Sequence, residues 1–209
     1  MRLAGLLLLT YVIGSINFAI LVLRLLGKED PRTQFSGNAG TTNVYRQAGR
    51  GWAAVVLLLD TGRAVALAAL ALHLLPFAQV PWIGFALVAG NRFPCFHGFR
   101  GGKGVAGYLG FTLPISPWGA VLSCLAWVIV HRIVRIPFIA SFFMILILGG
   151  AVVAASGGEA APIAGTVATV LLIVFNHRKN IASLHAERRQ QGVTKSIAGR
   201  SDAKVNKKR

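Results

Sequence analysis

Acidic residues, cysteines and charge of any kind are scarce in this 209-residue chain. Asp and Glu together number 6, Cys numbers 2, and charged residues make up only 13%. Two cysteines in this length exclude a disulfide-stapled scaffold. Because Mg²⁺ is held by carboxylates, so few of them give little support to metal-assisted phosphoryl transfer. We therefore expect neither a metal nor a cofactor.

Familiar catalytic signatures are missing as well. No histidine is followed five positions later by Asp, so the chain has no HxxxxD acyltransferase motif. It also has no GxSxG nucleophile elbow and no HExxH zinc motif. Any chemistry must therefore depend on other groups.

Apolar and basic residues are abundant. The chain is 55% hydrophobic with a mean hydropathy of +0.63, yet its net charge is +16. The apolar content excludes a chain that is disordered throughout. A pI of about 11.5 suggests nucleic-acid binding, but such a domain needs a polar surface that this chain lacks. The composition predicts an all-α integral membrane protein with positive charge in its loops, and no nucleic-acid partner.

Seven apolar runs predict about seven transmembrane helices, some of them short, with five as the conservative count. A cleaved signal peptide is the alternative for the first run, although its apolar stretch is long for one. The runs are Leu3–Leu26, Trp52–Leu75, Val80–Gly90, Val105–Leu113, Trp118–Val130, Phe138–Ala155 and Pro162–Phe175.

Basic residues fall in alternate connections between these runs, at 27–51, 91–103 and 131–136 and in the tail. The opposite connections contain Glu159 as their one charged residue. By the positive-inside rule, the N-terminus is outside and the C-terminus is cytoplasmic. We expect a membrane domain over 1–184 and a disordered basic tail over 185–209, whose cations meet anionic lipid headgroups.

Three polar segments lie on the predicted cytoplasmic side. Ser36-Gly37-Asn38-Ala39-Gly40-Thr41-Thr42-Asn43, followed by Arg46, offers backbone N–H groups and side-chain donors suited to an anion, with a plain loop as the alternative. Gly101-Gly102-Lys103-Gly104 begins an apolar segment, so a helix N-terminus and an ammonium group would converge on a phosphate. The alternative is a basic loop that only sets topology.

The third segment, 176–181, follows the last apolar run. On one continuing helix His177 and Asn180 would share a face, where they could hold hydroxyls or a phosphate; a basic stop-transfer flank is the alternative. Asp60 and Arg63 lie inside the second apolar run. They either pair with each other or help to shape the site.

These segments, in this order, resemble the bacterial acyl-phosphate:glycerol-3-phosphate acyltransferases, the PlsY family. The resemblance runs from about Tyr11 to Leu184 and includes Leu59-Asp60, the Phe-x-Gly-Gly-Lys-Gly-Val-Ala block at 99–106 and His-Arg-x-Asn-Ile at 177–181. The chain departs from the family pattern at Asn17, Arg63, Asn91, Gly107, Ser183 and Arg189.

The resemblance implies transfer of a fatty acyl group from acyl phosphate to the 1-hydroxyl of glycerol 3-phosphate, in phospholipid synthesis at the plasma (inner) membrane. A diverged paralogue that binds a phosphorylated polyol or lipid is the alternative, and a transporter comes third. The implied catalytic residues are Ser36, Arg46, Lys103, His177 and Asn180. The implied substrate-binding residues are Gly37, Asn38, Gly40, Asn43, Gly101, Gly102, Gly104 and Asp60.

Overall fold

The computed structural model describes residues 1–186, which divide into a first unit, Met1–Asn176, and the beginning of a second unit that starts at His177. The described part is helical, with no strand. The helices of the first unit are α1 Arg2–Gly14, α2 Phe18–Leu25, α3 Thr41–Leu74, α4 Val80–Arg92, α5 Val105–Thr112, α6 Pro117–Val134, α7 Pro137–Ala155 and α8 Ala160–Asn176, with short 3₁₀ turns at Phe77–Gln79 and Cys95–His97. The second unit begins with α9, Arg178–Ala186.

Local sequence explains where several helices begin. Ser116 caps α6 by accepting a hydrogen bond from the Gly119 N–H at 3.3 Å, and Pro117 follows at the first helical position. Pro137 likewise occupies the first helical position of α7. Inside α3 the helical path is broken at Gly49, whose φ of 83° lies in the left-handed region that glycine adopts without strain. The break separates a short first segment, 41–48, from the long apolar remainder.

Each predicted apolar run contains helical structure, but the first run is not one helix. It is interrupted at residues 15–17, between α1 and α2. Asn17 causes the restart because its side-chain oxygen accepts a hydrogen bond from the Ile20 N–H at 3.1 Å and so caps α2. Among the described residues, four helical segments are long and apolar enough to cross a membrane, or five if the bent pair α8 and α9 is one span. The count of seven therefore stays a prediction.

Glycines allow the helices of the first unit to cross closely. At the crossing of α1 and α4, a Cβ on Gly90 would lie 2.3 Å from the Tyr11 carbonyl oxygen. At the crossing of α3 and α5, a Cβ on Gly110 would lie 2.3 Å from the Thr61 carbonyl oxygen. Backbone oxygens cannot move aside as a flexible side chain can, so these crossings require glycine.

Gly84 of α4 provides a milder test of this packing. A Cβ there would lie 2.9 Å from Cε1 of Phe111, whose ring is fully buried. We expect Gly84→Ala to lower the free energy of unfolding by about 1–2 kcal/mol, because overpacking outweighs the better helix propensity of alanine. Thermal unfolding in detergent micelles measures the effect. Gly62→Ala is the control, since a Cβ there meets nothing within 4 Å; equal stability of the two variants would contradict the prediction.

Candidate active site

The first candidate loop, residues 27–40, joins α2 to α3. Asn43, in the first turn of α3, organises it from a buried position. Its Nδ2 donates to the carbonyl oxygens of Pro31 at 3.0 Å and Gln34 at 3.2 Å, and its Oδ1 accepts from the Ser36 hydroxyl at 3.1 Å. The Asn43 amide is thus engaged in shaping the loop, while Ser36 and Gly37 lie on its exposed side.

The N-terminus of α3 follows directly. Gly40 is its N-cap residue, and a Cβ on Gly40 would lie 2.9 Å from Nδ2 of Asn38, so this amide folds back over the helix start. Arg46 lies in the second turn of α3 with its guanidinium carbon 5.6 Å from the centroid of the Phe35 ring. Amide donors, a helix N-terminus and a guanidinium group therefore occupy one end of α3, an arrangement suited to an anion.

The second candidate loop, residues 93–104, joins α4 to α5. Its glycines return to the end of α4: the Gly101 N–H donates to the Arg92 carbonyl at 3.1 Å, and the Gly102 N–H donates to the Asn91 carbonyl at 2.9 Å. Gly104 has a φ of 90° and is the N-cap residue of α5. The Lys103 carbonyl accepts a hydrogen bond from Nδ2 of Asn176, at the end of α8, at 3.2 Å. Lys103 is thereby held immediately before a helix N-terminus.

The two loops meet at Gly102 and Ala39. A Cβ on Gly102 would lie 2.7 Å from the Ala39 carbonyl oxygen and 2.9 Å from Nδ2 of Asn91. Lys103, next in sequence, is partly buried. Burial, and secondarily the positive charge of Arg46, lower the pKa of Lys103 to about 8. Because the positive charge of Arg46 disfavours the ammonium form of Lys103, an anion bound beside Lys103 would be stabilised there.

Arg32, in the first loop, provides a second link between the two loops. Its Nη1 donates to the carbonyl oxygens of His97 at 2.6 Å and Arg100 at 3.2 Å, and its Nη2 pairs with Asp30 at 2.6 Å. The hydrogen bond from Arg32 holds the pKa of Asp30 below its usual range. The carboxylate therefore keeps its charge to a lower pH than a free aspartate does, and the contribution of this pair is lost as the pH falls through the lowered pKa.

We expect Arg32→Gln to reduce kcat/KM by up to about fivefold, the range expected for a partly exposed ion pair. The loss should come mainly from KM, because the loops would be less well held together. Steady-state kinetics at neutral pH measure it. Lys28→Gln, an exposed cation of the same loop, is the charge-matched control. An equal loss in both variants would mean that net charge, and not the link between the loops, matters.

Asp60 and Arg63 pair inside α3, at 2.7 Å between Oδ1 and Nη2. Arg63 also donates through Nη1 to the carbonyl oxygens of Ile13, at 3.1 Å, and Ile16. These carbonyls lie where α1 ends, so Arg63 adds a side-chain donor at the point where the helix is interrupted. The pairing that the sequence offered as one alternative is present.

His177 and Asn180 belong to the second unit. On one continuing helix the two residues would share a face, but α8 ends at Asn176 and α9 begins at Arg178, so that condition is not met. The His177 carbonyl instead accepts from the backbone N–H groups of Asn180 at 2.9 Å and Ile181 at 3.1 Å. The two residues therefore flank the start of a new helix.

Two glycine-rich loops thus meet at helix starts, near a lysine and an arginine. The chain that carries them also matches a known protein family. A family model described as glycerol-3-phosphate acyltransferase matches residues 4–187. The chain belongs to this family. It is 36% identical over 181 residues to the glycerol-3-phosphate acyltransferase of Pseudomonas paraeruginosa, covering 86% of this chain and 94% of that one. It is 41% identical over 176 residues to that of Thioalkalivibrio sulfidiphilus, covering 83% and 86%.

Solved structures agree with this assignment. The fold is similar to crystal structures of PlsY, an integral membrane glycerol 3-phosphate acyltransferase. With the glycerol 3-phosphate form the TM-score is 0.82 at 30% identity, covering 90% of this chain and 94% of that one. With the lysophosphatidic acid form it is 0.81 at 29% identity, with the same coverage. The protein is therefore a multi-pass membrane acyltransferase.

Sequence reasoning missed two residues that tie the loops in place. Arg32 counted only as one of the basic residues of the connection 27–51, and Asn17 only as a departure from the family pattern. Their contacts span 65 residues from Arg32 to His97 and 22 from Asn17 to Ala39. The one local signal was Asn17 itself, because asparagine within an apolar run is typical of a helix N-cap.

Proposed function

We propose that this chain transfers a fatty acyl group from acyl phosphate to the 1-hydroxyl of glycerol 3-phosphate, releasing lysophosphatidate and phosphate. The observation that carries the proposal is the contact between the two glycine-rich loops at Gly102 and Ala39, directly beside Lys103. The charge of Arg46 contributes to the lowered pKa of that lysine. Both substrates carry phosphate, and two neighbouring cations with N–H donors suit such groups.

Lys103 and Arg46 are the phosphate clamps in this proposal. Ser36, an exposed residue, and the peptide groups of the first loop cradle the acyl phosphate, with Asn43 holding the loop in shape. The N–H groups of Gly101 and Gly102 fold the second loop back onto the end of α4. The N–H groups of the first turn of α5, which lack intrahelical acceptors, are the donors for the phosphate. The residues assigned to these cradles are Gly37, Asn38, Gly40, Asn43, Gly101, Gly102 and Gly104.

His177 and Asn180 orient the glycerol part in this proposal, as the family resemblance implies. Asp60 is retained as a member of the site through its pairing with Arg63, which supports the region where α1 ends. A cluster of three or more potential metal ligands does not occur among residues 1–186, and we assign no step to a metal.

The chemistry proceeds by direct transfer. The 1-hydroxyl oxygen bonds to the acyl carbon, the bond from that carbon to the phosphate oxygen breaks, and the hydroxyl proton leaves with the released hydrogen phosphate. Acyl phosphate is a mixed anhydride with a good leaving group, so no covalent enzyme intermediate is needed. Positioning two anions and stabilising the charge on the departing phosphate supply the rate enhancement.

The membrane arrangement is part of the proposal. With α1 and α2 as one crossing and α3 to α8 as six more, both glycine-rich loops follow an odd-numbered crossing and lie on one side. The alternation of basic connections puts that side in the cytoplasm. The protein would then lie in the plasma (inner) membrane with an external N-terminus and a cytoplasmic C-terminus. Residues 187–209, most of the predicted basic tail, are outside the described residues.

The test is turnover by the purified protein in lipid nanodiscs. With acyl phosphate and glycerol 3-phosphate, we expect equal amounts of phosphate and lysophosphatidate. A colorimetric assay measures the phosphate, and mass spectrometry measures the lysophosphatidate. Acyl-CoA in place of acyl phosphate should give no product. Turnover with acyl-CoA alone would overturn the donor assignment, and no turnover with any glycerol-phosphate acceptor would overturn the function.

A further inference from the structure

The interruption between α1 and α2 is held by polar contacts on both sides. Arg63 donates to the carbonyls at the end of α1, and Asn17 caps the start of α2. Asn17 is 2% exposed, and both ends of its side-chain amide are used. Oδ1 accepts from the Ile20 N–H at 3.1 Å, and Nδ2 donates to the Ala39 carbonyl oxygen at 3.2 Å. Because the Ile20 N–H is a donor, the side-chain atom of Asn17 beside it must be the amide oxygen, and the amide nitrogen therefore faces the Ala39 carbonyl.

Ala39 lies in the middle of the first candidate loop. Its carbonyl and the Gly40 N–H form one peptide group, so fixing the carbonyl also fixes the N-cap of α3. The same carbonyl is the atom that Gly102 of the second loop lies against, at 2.7 Å from a Cβ built on that glycine. A side chain from the first crossing therefore holds the peptide at which both loops meet.

We propose that Asn17 is a positioning residue for acyl transfer, which sets the Ala39–Gly40 peptide and through it the spacing of the two phosphate-binding loops. The inference rests on the proposed function for its kinetic consequences. Asn17 touches no substrate in this scheme. Its capping of α2 is a separate, structural role that other capping residues can fill.

Two substitutions separate the positioning role from the capping role. Asn17→Ser keeps a short side-chain oxygen for the Ile20 N–H but has no amino group to reach Ala39, and Asn17→Ala loses both contacts. We expect both variants to lower kcat/KM for glycerol 3-phosphate by about tenfold, the cost of leaving one buried carbonyl without its donor. The loss should come mainly from KM. Asn17→Ala should lower the thermal midpoint further than Asn17→Ser does, because it also loses the cap of α2.

Ser116→Ala is the matched control for a lost cap. Ser116 caps α6 through the Gly119 N–H and belongs to neither loop. We expect it to reduce thermal stability slightly and to leave the kinetics unchanged. If Asn17→Ser has wild-type kinetics, or if Ser116→Ala loses as much activity as Asn17→Ser, the positioning role is overturned.

A readout without turnover keeps this inference separate from the proposed function. Hydrogen–deuterium exchange followed by mass spectrometry should show faster exchange in Asn17→Ser over residues 36–43 and 101–105, with α6 unchanged. That result in a protein without acyltransferase turnover would support the loop anchor and overturn the proposed reaction. Unchanged exchange in both loops, with an active wild type, would overturn the anchor alone.

Discussion

Lys103→Ala is expected to reduce kcat/KM by about a thousandfold, the loss found when a preorganised charge-stabilising group is removed. The Asn176 hydrogen bond to the Lys103 carbonyl fixes the Lys103 backbone directly before the N-terminus of α5, so its ammonium group starts from a fixed point beside that helix end. Without it, the phosphate that develops charge in the transition state keeps Arg46 and the peptide N–H groups as donors. Phosphate release by the purified variant measures the loss.

The pH dependence gives a second measurement on the same residue. The pKa of Lys103 is lowered to about 8 by burial and by Arg46, so the free enzyme loses its ammonium charge as pH rises through 8. We expect kcat/KM to fall above that pH, because this ratio reports the free enzyme. Lys103→Arg should retain a small part of the activity and lose this alkaline limb, since arginine stays charged.

Lys28→Ala is the control for both measurements, since it removes one exposed lysine of the first loop. It should keep wild-type kcat/KM and the same alkaline limb. If Lys103→Ala retains more than about a tenth of the activity, its ammonium is not the main phosphate clamp. If Lys103→Arg keeps the limb, another group titrates.

Local sequence is sufficient for much of the fold. Apolar runs, prolines at helix starts and the Gly104 position before Val105 depend on neighbours within a few residues, so the helical segments could be predicted. The break at Asn17 could have been found from its capping chemistry, but a polar residue in a long apolar run can also face a partner helix. The last apolar run ends at Phe175, next to the end of α8 at Asn176, but the contact of the Asn176 side chain with Lys103, 73 residues away, could not be predicted.

In the candidate site, too, some features could be predicted from local sequence and others could not. Glycines and cations in short segments identified the two loops, because anion binding requires those residue types. The sequence alone could not show that Ala39 and Gly102 touch, nor that Arg32 reaches His97, because these contacts depend on how α1 to α5 cross. Residues that hold a loop through one backbone carbonyl leave no pattern in sequence.

The contact between Ala39 and Gly102 yields the second large effect. Gly102→Ala would put a Cβ 2.7 Å from the Ala39 carbonyl oxygen and 2.9 Å from Nδ2 of Asn91. The Ala39 carbonyl is held by Asn17, and the Gly102 N–H is held by the Asn91 carbonyl, so neither side can yield freely. The two loops must therefore move apart. We expect kcat/KM to fall by about a hundredfold, since a displacement of about 1 Å can cost that much in catalysis.

Gly107→Ala is the matched control, because it makes the same change five residues later, inside α5. A Cβ there would lie 3.8 Å from Cδ2 of Leu87, an ordinary contact, and alanine favours the helix. It should keep wild-type kinetics, and both variants should keep wild-type circular dichroism, since Gly102 lies outside the helices. Wild-type kcat/KM in Gly102→Ala would contradict the requirement for close contact. A loss confined to kcat/KM, at unchanged helix content, would show that the spacing of the two loops, and not the stability of the helices, limits the reaction.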